Sequence, residues 1–160
     1  LVVYDNYEQM EKGRAIFSSC PASSRMIASF SKTTETARSY NWVTENALSG
    51  RDWQTNSVFA KFNFSVERGK EMNYALAWKE LMSSSIDLFD GSFGLNAVAF
   101  GNRYSTHMVY IGADSMTDLS EGLAAVRSTD TYKEFVEDTS GIVSGVHSQM
   151  VQFVKNFDGS

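Results

Sequence analysis

Val58-Phe59-Ala60-Lys61-Phe62-Asn63-Phe64-Ser65-Val66 decides the fold. Its even positions are all apolar, while its odd ones are Phe, Lys, Asn and Ser. A period of two is that of a β-strand with one face on a dry core and the other in mixed surroundings. Downstream, residues 69–84 place Tyr74, Ala77, Trp78 and Leu81 at i, i+3, i+4 and i+7, the stripe of a helix that packs on a sheet. A Ser/Gly/Asp-rich loop at 83–94 carries three buried-type residues, Ile86, Leu88 and Phe89. Residues 95–100 and 105–111 read as strands joined around Gly101-Asn102-Arg103, a hairpin signal. Asp114 or Ser115 can cap a helix through Val126 whose core side is Leu119, Leu123 and Val126. Thr129 or Asp130 starts a short helix with Tyr132, Phe135 and Val136, and 141–157 supplies a long last strand with a bulge near Gly145. The order over 56–157 is strand, helix, strand, strand, helix, strand.

The upstream part reads as half of another copy. Residues 1–4 are apolar and β-branched like a buried strand, and Asp5 or Asn6 can cap a helix over 8–18. Pro21 suits the first turn of a second helix over 22–30, with Met26, Ile27 and Phe30 as its buried side. Residues 33–45 favour a strand, and 46–55 read as connector. A shift of 109 residues sets Gly13 on Gly122, Asp5 on Asp114, Met10 on Leu119, and Met26-Ile27 on Phe135-Val136. The domain reading is therefore 1–46 as the second half of a first unit, 47–55 as connector and 56–157 as a complete unit, an apparent tandem repeat with an incomplete first copy. A half-unit leaves strand edges and an apolar sheet face exposed. Its missing strand–helix–strand is expected upstream of Leu1, or else a partner chain covers the edge. The strands of the half-unit are expected in a second sheet, packed face to face with the first.

Composition removes several function classes. The formal charge is −5 and the basic residues are scattered, which excludes a nucleic-acid interface. With 42% hydrophobic residues the chain can bury a core, so disorder is excluded as well. The single cysteine, Cys20, cannot form an internal disulfide or anchor a thiolate metal site. No apolar run approaches the roughly 18 residues of a membrane span, and no leader pattern is present. The expectation is a soluble, cytoplasmic protein without membrane contact. The two histidines have no carboxylates at metal-ligand spacing, no Gly-rich turn follows a strand, and Ser83-Ser84-Ser85 has no His/Asp partners. No metal and no cofactor are expected.

The βαββαβ order, with its long first helix, its hairpin and an extra short helix at 130–137, resembles the dimeric α/β-barrel superfamily, which includes the antibiotic-biosynthesis monooxygenases. That resemblance implies an α+β fold of ferredoxin-like units with antiparallel sheets. Two such sheets, from two chains or a tandem duplication, close into a barrel with helices outside and the ligand inside, so a homo-oligomer is expected. If the even positions of 58–66 meet the helices, Phe59, Lys61 and Asn63 face the interior. Lys61 among aromatics can hold an anionic head group. His107 and His147 are the candidate bases, histidine being the usual proton acceptor at neutral pH. Tyr110 could orient a substrate, Trp42 could line the other side of the pocket, and Trp53 could plug one mouth or meet a partner. The implied function is binding of a small, largely apolar or amphipathic molecule, with a cofactor-independent monooxygenase or isomerase as the enzymatic reading. The alternatives are a non-catalytic ligand-binding or assembly module with a filled barrel, and a haem-binding protein.

Overall fold

The computed structural model describes residues 4–33, 42–100 and 104–153, with backbone alone at 30–33, 42–49 and 100. The chain divides into two compact units, Leu1–Arg38 and Ser39–Ser160. The first holds helices α1 (Tyr7–Ser19) and α2 (Pro21–Thr33). Asn6 caps α1 by accepting from the Gln9 N–H at 2.9 Å, and Pro21 opens α2, where its missing N–H costs nothing. Met26 and Ile27, expected to be buried, are exposed, as are Ile16 and Phe17 on α1. Among the described residues of this unit no third element covers their apolar stripes. Of the strands expected here, residues 1–3 and 34–41 lie outside the described residues. The chain is still helical at Thr33, and extended structure is next seen in β1 (Trp42–Ser49), which reaches into the stretch read as connector.

In the second unit a short 3-10 helix (Trp53–Thr55) follows β1, and then come β2 (Val58–Val66), α3 (Glu71–Ser84), β3 (Phe93–Phe100), β4 (His107–Ala113), α4 (Met116–Arg127), α5 (Asp130–Thr139) and β5 (Val143–Gln152). From β2 to β5 this is the βαββαβ order. The sheet is five-stranded, ordered β1-β3-β4-β2-β5, and every neighbouring pair is antiparallel. The four strands of the complete unit make a ferredoxin-like sheet. β1 pairs with β3 in that same sheet instead of forming a separate one, because the outer edge of β3 offers it a row of unpaired backbone groups. The expected hairpin tip at 101–103 lies outside the described residues.

One face of the sheet carries the core. Val58, Phe64 and Val66 of β2, Leu95 of β3 and Val109 and Ile111 of β4 are buried with Tyr74, Trp78, Leu81 and Met82 of α3 and Leu119 and Val126 of α4. Both helix stripes read from the sequence are thus the packed ones. Phe135 of α5 closes over α3, edge-on to Tyr74 and Trp78 at centroid distances of 5.7 and 6.2 Å. Of the three apolar residues in the loop after α3, Phe89 is buried, while Ile86 and Leu88 are exposed. The caps are those expected. Ser115 accepts from Asp118 N–H at 3.1 Å, and Thr129 accepts from Tyr132 N–H at 3.1 Å. The register of β2 on β5 shifts between Asn63 and Ser65, opposite Gly145, whose φ of 64° is the left-handed value a bulge needs.

Candidate functional site

Cross-strand partners share a face, so the register of β2 fixes what lies on the side away from α3 and α4. Phe59 is opposite Gly112 and Val151, Lys61 opposite Tyr110 and Gln149, and Asn63 opposite Met108 and His147. β3 brings Gly94 beside Tyr110 and Asn96 beside Met108. Phe59, Lys61, Asn63, Tyr110 and His147 therefore belong to one surface. Trp42 begins β1, opposite Phe100, and its side chain lies outside the described residues.

The surface changes character along β2. At one end Phe59 meets the Trp53 ring at 6.4 Å and the Tyr110 ring at 6.3 Å, an aromatic strip running from the 3-10 helix to β4. Asn56 holds that end: its Oδ1 accepts from Ser92 N–H at 3.0 Å and its Nδ2 donates to Asp114 Oδ1 at 3.1 Å. The rings lie against glycines. A Cβ at Gly112 would come within 2.5 Å of the Phe59 ring, and one at Gly94 would strike the Tyr110 ring. Lys61 stands in the middle, partly buried, and forms no salt bridge among the described residues. Burial holds its pKa below the ordinary lysine value. At the far end Asn63 and Asn96 are 9% and 5% exposed, and Asn63 Oδ1 and Asn96 Nδ2 are buried without a hydrogen-bond partner. Such orphaned amide atoms are costly unless something pairs with them. His147 is exposed on the edge strand beside Asn63.

His107 departs from this group. It is buried on the helix-bearing face, stacked on Phe64 at 6.1 Å and tilted against Tyr74 at 6.4 Å, with Thr106 Oγ1 2.9 Å from its Nδ1. Burial lowers its pKa, and Glu71 partly restores it. The two histidines, which sequence reasoning brought together near Lys61, lie on opposite sides of the sheet. His107 shares the parity of the buried Val109 and Ile111, but Met108 and Tyr110 leave β4 apolar at both parities, so it is the strand register that separates the two histidines.

Trp53, Asn96 and the two glycines complete the surface. Gly94 and Asn96 alternate with Phe93 and Leu95, so the period of two held the signal, but only the strand register shows that they border Tyr110 and Met108. A groove of about 340 Å³ lies on the opposite face between α4 and β5, lined mainly by Ala60, Phe62, Met116, Leu119, Leu123 and Met150. Among the described residues no titratable side chain lines it. Among the described residues no three His, Cys, Asp or Glu side chains gather as metal ligands, and no helix is long and apolar enough to cross a membrane.

No protein-family model and no curated protein matches the sequence. Solved structures do resemble it. A proposed monooxygenase from Fusobacterium nucleatum superposes with a TM-score of 0.59 at 13% identity, over 95% of this chain and 67% of that one. A proposed monooxygenase from Lactobacillus acidophilus gives 0.55 at 15% identity over 92% of this chain, which spans 65% of that protein's length, just under two thirds. An uncharacterized NIPSNAP-like domain protein from Burkholderia xenovorans gives 0.53 at 8% identity, over 66% of this chain and 90% of that one. At such identities the likeness is one of fold, which many chemistries share.

Proposed function

We propose that the protein binds a small, largely apolar molecule on the sheet face away from α3 and α4, inside an α/β barrel closed by the sheet of a second copy. There it acts as a cofactor-independent monooxygenase or isomerase. The observation that carries this reading is the convergence of Phe59, Lys61, Asn63, Tyr110 and His147 on one face, with the core packed on the other. A sheet face bearing aromatics, a partly buried lysine and unpartnered amide atoms makes a poor solvent surface and a good ligand lining. Two of the structural neighbours are proposed monooxygenases, in keeping with the enzymatic reading. His147 takes a proton from the bound molecule. The resulting anion, held near the Lys61 ammonium, is the species that an isomerase reprotonates at another carbon or that dioxygen oxidises.

Native mass spectrometry of the purified protein tests the assembly and the cargo together. A dimer carrying a small molecule is the expected result; a bare monomer at micromolar concentration sinks the barrel. A binder without catalysis is the second reading, favoured by the exposure of His147 on the edge strand. His147→Ala separates the two: turnover of the identified ligand is lost on the enzymatic reading, while ligand retention is unchanged on either.

A further inference from the structure

β2, β3, β4 and β5 contain no Asp or Glu, in a chain that has 19 of them. The one lysine in these strands, Lys61, sits on β2 with β4 on one side and β5 on the other, between Tyr110 and Gln149. An ammonium taken partly out of water without a counter-ion is unfavourable, and such a group either loses its proton or gains an anion. The neighbours of Lys61 supply no anion. Phe59, one step back on the same face and about 6.6 Å away along the strand, belongs instead to the aromatic strip with Trp53 and Tyr110.

We infer that this face selects a carboxylate: an amphipathic acid whose apolar or aromatic body lies along Phe59 and Trp53 and whose anionic end is held by Lys61. The inference rests on the ligand-binding reading above and adds the charge and orientation of the ligand. The apolar end offers ring faces set against glycines, and the other end offers a cation with no carboxylate on its own or neighbouring strands to compete for it. The excess negative charge of the chain does not reach these strands. His147, beyond Asn63, is the other basic side chain on this face.

Two bicyclic probes of nearly equal shape test this by isothermal titration calorimetry: 2-naphthoate, which is ionised at neutral pH, and 2-naphthamide, which is not. Wild-type protein is expected to bind the acid at least about ten-fold more tightly than the amide. Lys61→Met should bind both about equally, and Lys79→Met, at an exposed position on α3, should keep the preference. Equal binding by the wild type, or a preference that survives in Lys61→Met, overturns the carboxylate inference and leaves the pocket standing. Failure of both probes to bind the wild type overturns the pocket and the inference with it. Should Lys61→Met fail to fold, the wild type alone decides. Its preference for the acid must fall as pH rises toward the lysine range, and a pH-independent preference overturns the role of Lys61.

Discussion

His107 shows how one side chain can answer a different question from the one its type suggests. Buried against Phe64 and Tyr74, it has its pKa lowered by desolvation, which makes its imidazole a weaker proton acceptor than a solvated one. Its folded pKa lies below that of the unfolded chain, so above about pH 6.5 neither state carries the charge and stability is unaffected. As pH falls below that value the unfolded state takes up the proton first, and stability declines until the folded pKa is passed. Urea unfolding at pH 7.5 and pH 5 should show this loss, and His107→Phe should lose less over the same interval. A second prediction concerns Gly112, where an added Cβ would press on the Phe59 ring and the Ser92 Oγ at 2.5 and 2.7 Å. Gly112→Ala should cost about 1–3 kcal/mol of stability, as overpacking does, with the change also visible in the aromatic circular dichroism. The chemical type of Lys61, Tyr110 and His147 was legible in the sequence, and so was the face of Phe59, Lys61 and Asn63. The separation of the two histidines was not, because it depends on which parity of β4 meets the core, and β4 is apolar at both parities.

Among the elements, α3 and α4 were the most readable, since their stripes and caps leave only one face to bury. Leu81, 2% exposed on α3, should cost about 2–5 kcal/mol when cut to Ala, measured by denaturant unfolding. Ser115→Ala, which removes the α4 cap, should cost only about 1 kcal/mol in the same assay. The helices α1 and α2 were readable as helices but not in their burial, because a stripe predicts burial only where a partner surface exists. The strand expected over 33–45 overlaps β1 at 42–45, and its stretch 34–41 lies outside the described residues. Thr, Tyr and Trp at 33–42 carry the strand propensity, yet Thr33 ends a helix and the extended backbone runs on to Ser49. Past Glu45, where composition reads as connector, pairing with the free edge of β3 keeps the backbone extended.

For the whole molecule, the βαββαβ plan could be read from element order alone, and the superposed structures share that fold. The surface left by that plan is uneven. On β5, Val146, Met150 and Val151 are 63%, 64% and 44% exposed, on a strand that pairs with β2 alone among the described strands. An exposed apolar edge strand of this kind favours self-association. Val151→Lys places a charge beside Phe59 on the face proposed to meet a second copy. It should shift the sedimentation profile toward monomer, whereas Lys79→Met should leave it unchanged.

The glycines beneath the two site aromatics carry a consequence for how this surface could diverge. Phe59 and Tyr110 lie low over the sheet only because Gly112 and Gly94 give them nothing to rest on but backbone. A single methyl at either position would lift a ring toward the space a ligand would occupy, without altering any group that could bind it. On the proposed ligand-binding reading, the size of the accepted molecule can therefore drift through positions that never touch it, while the aromatic and cationic groups stay the same.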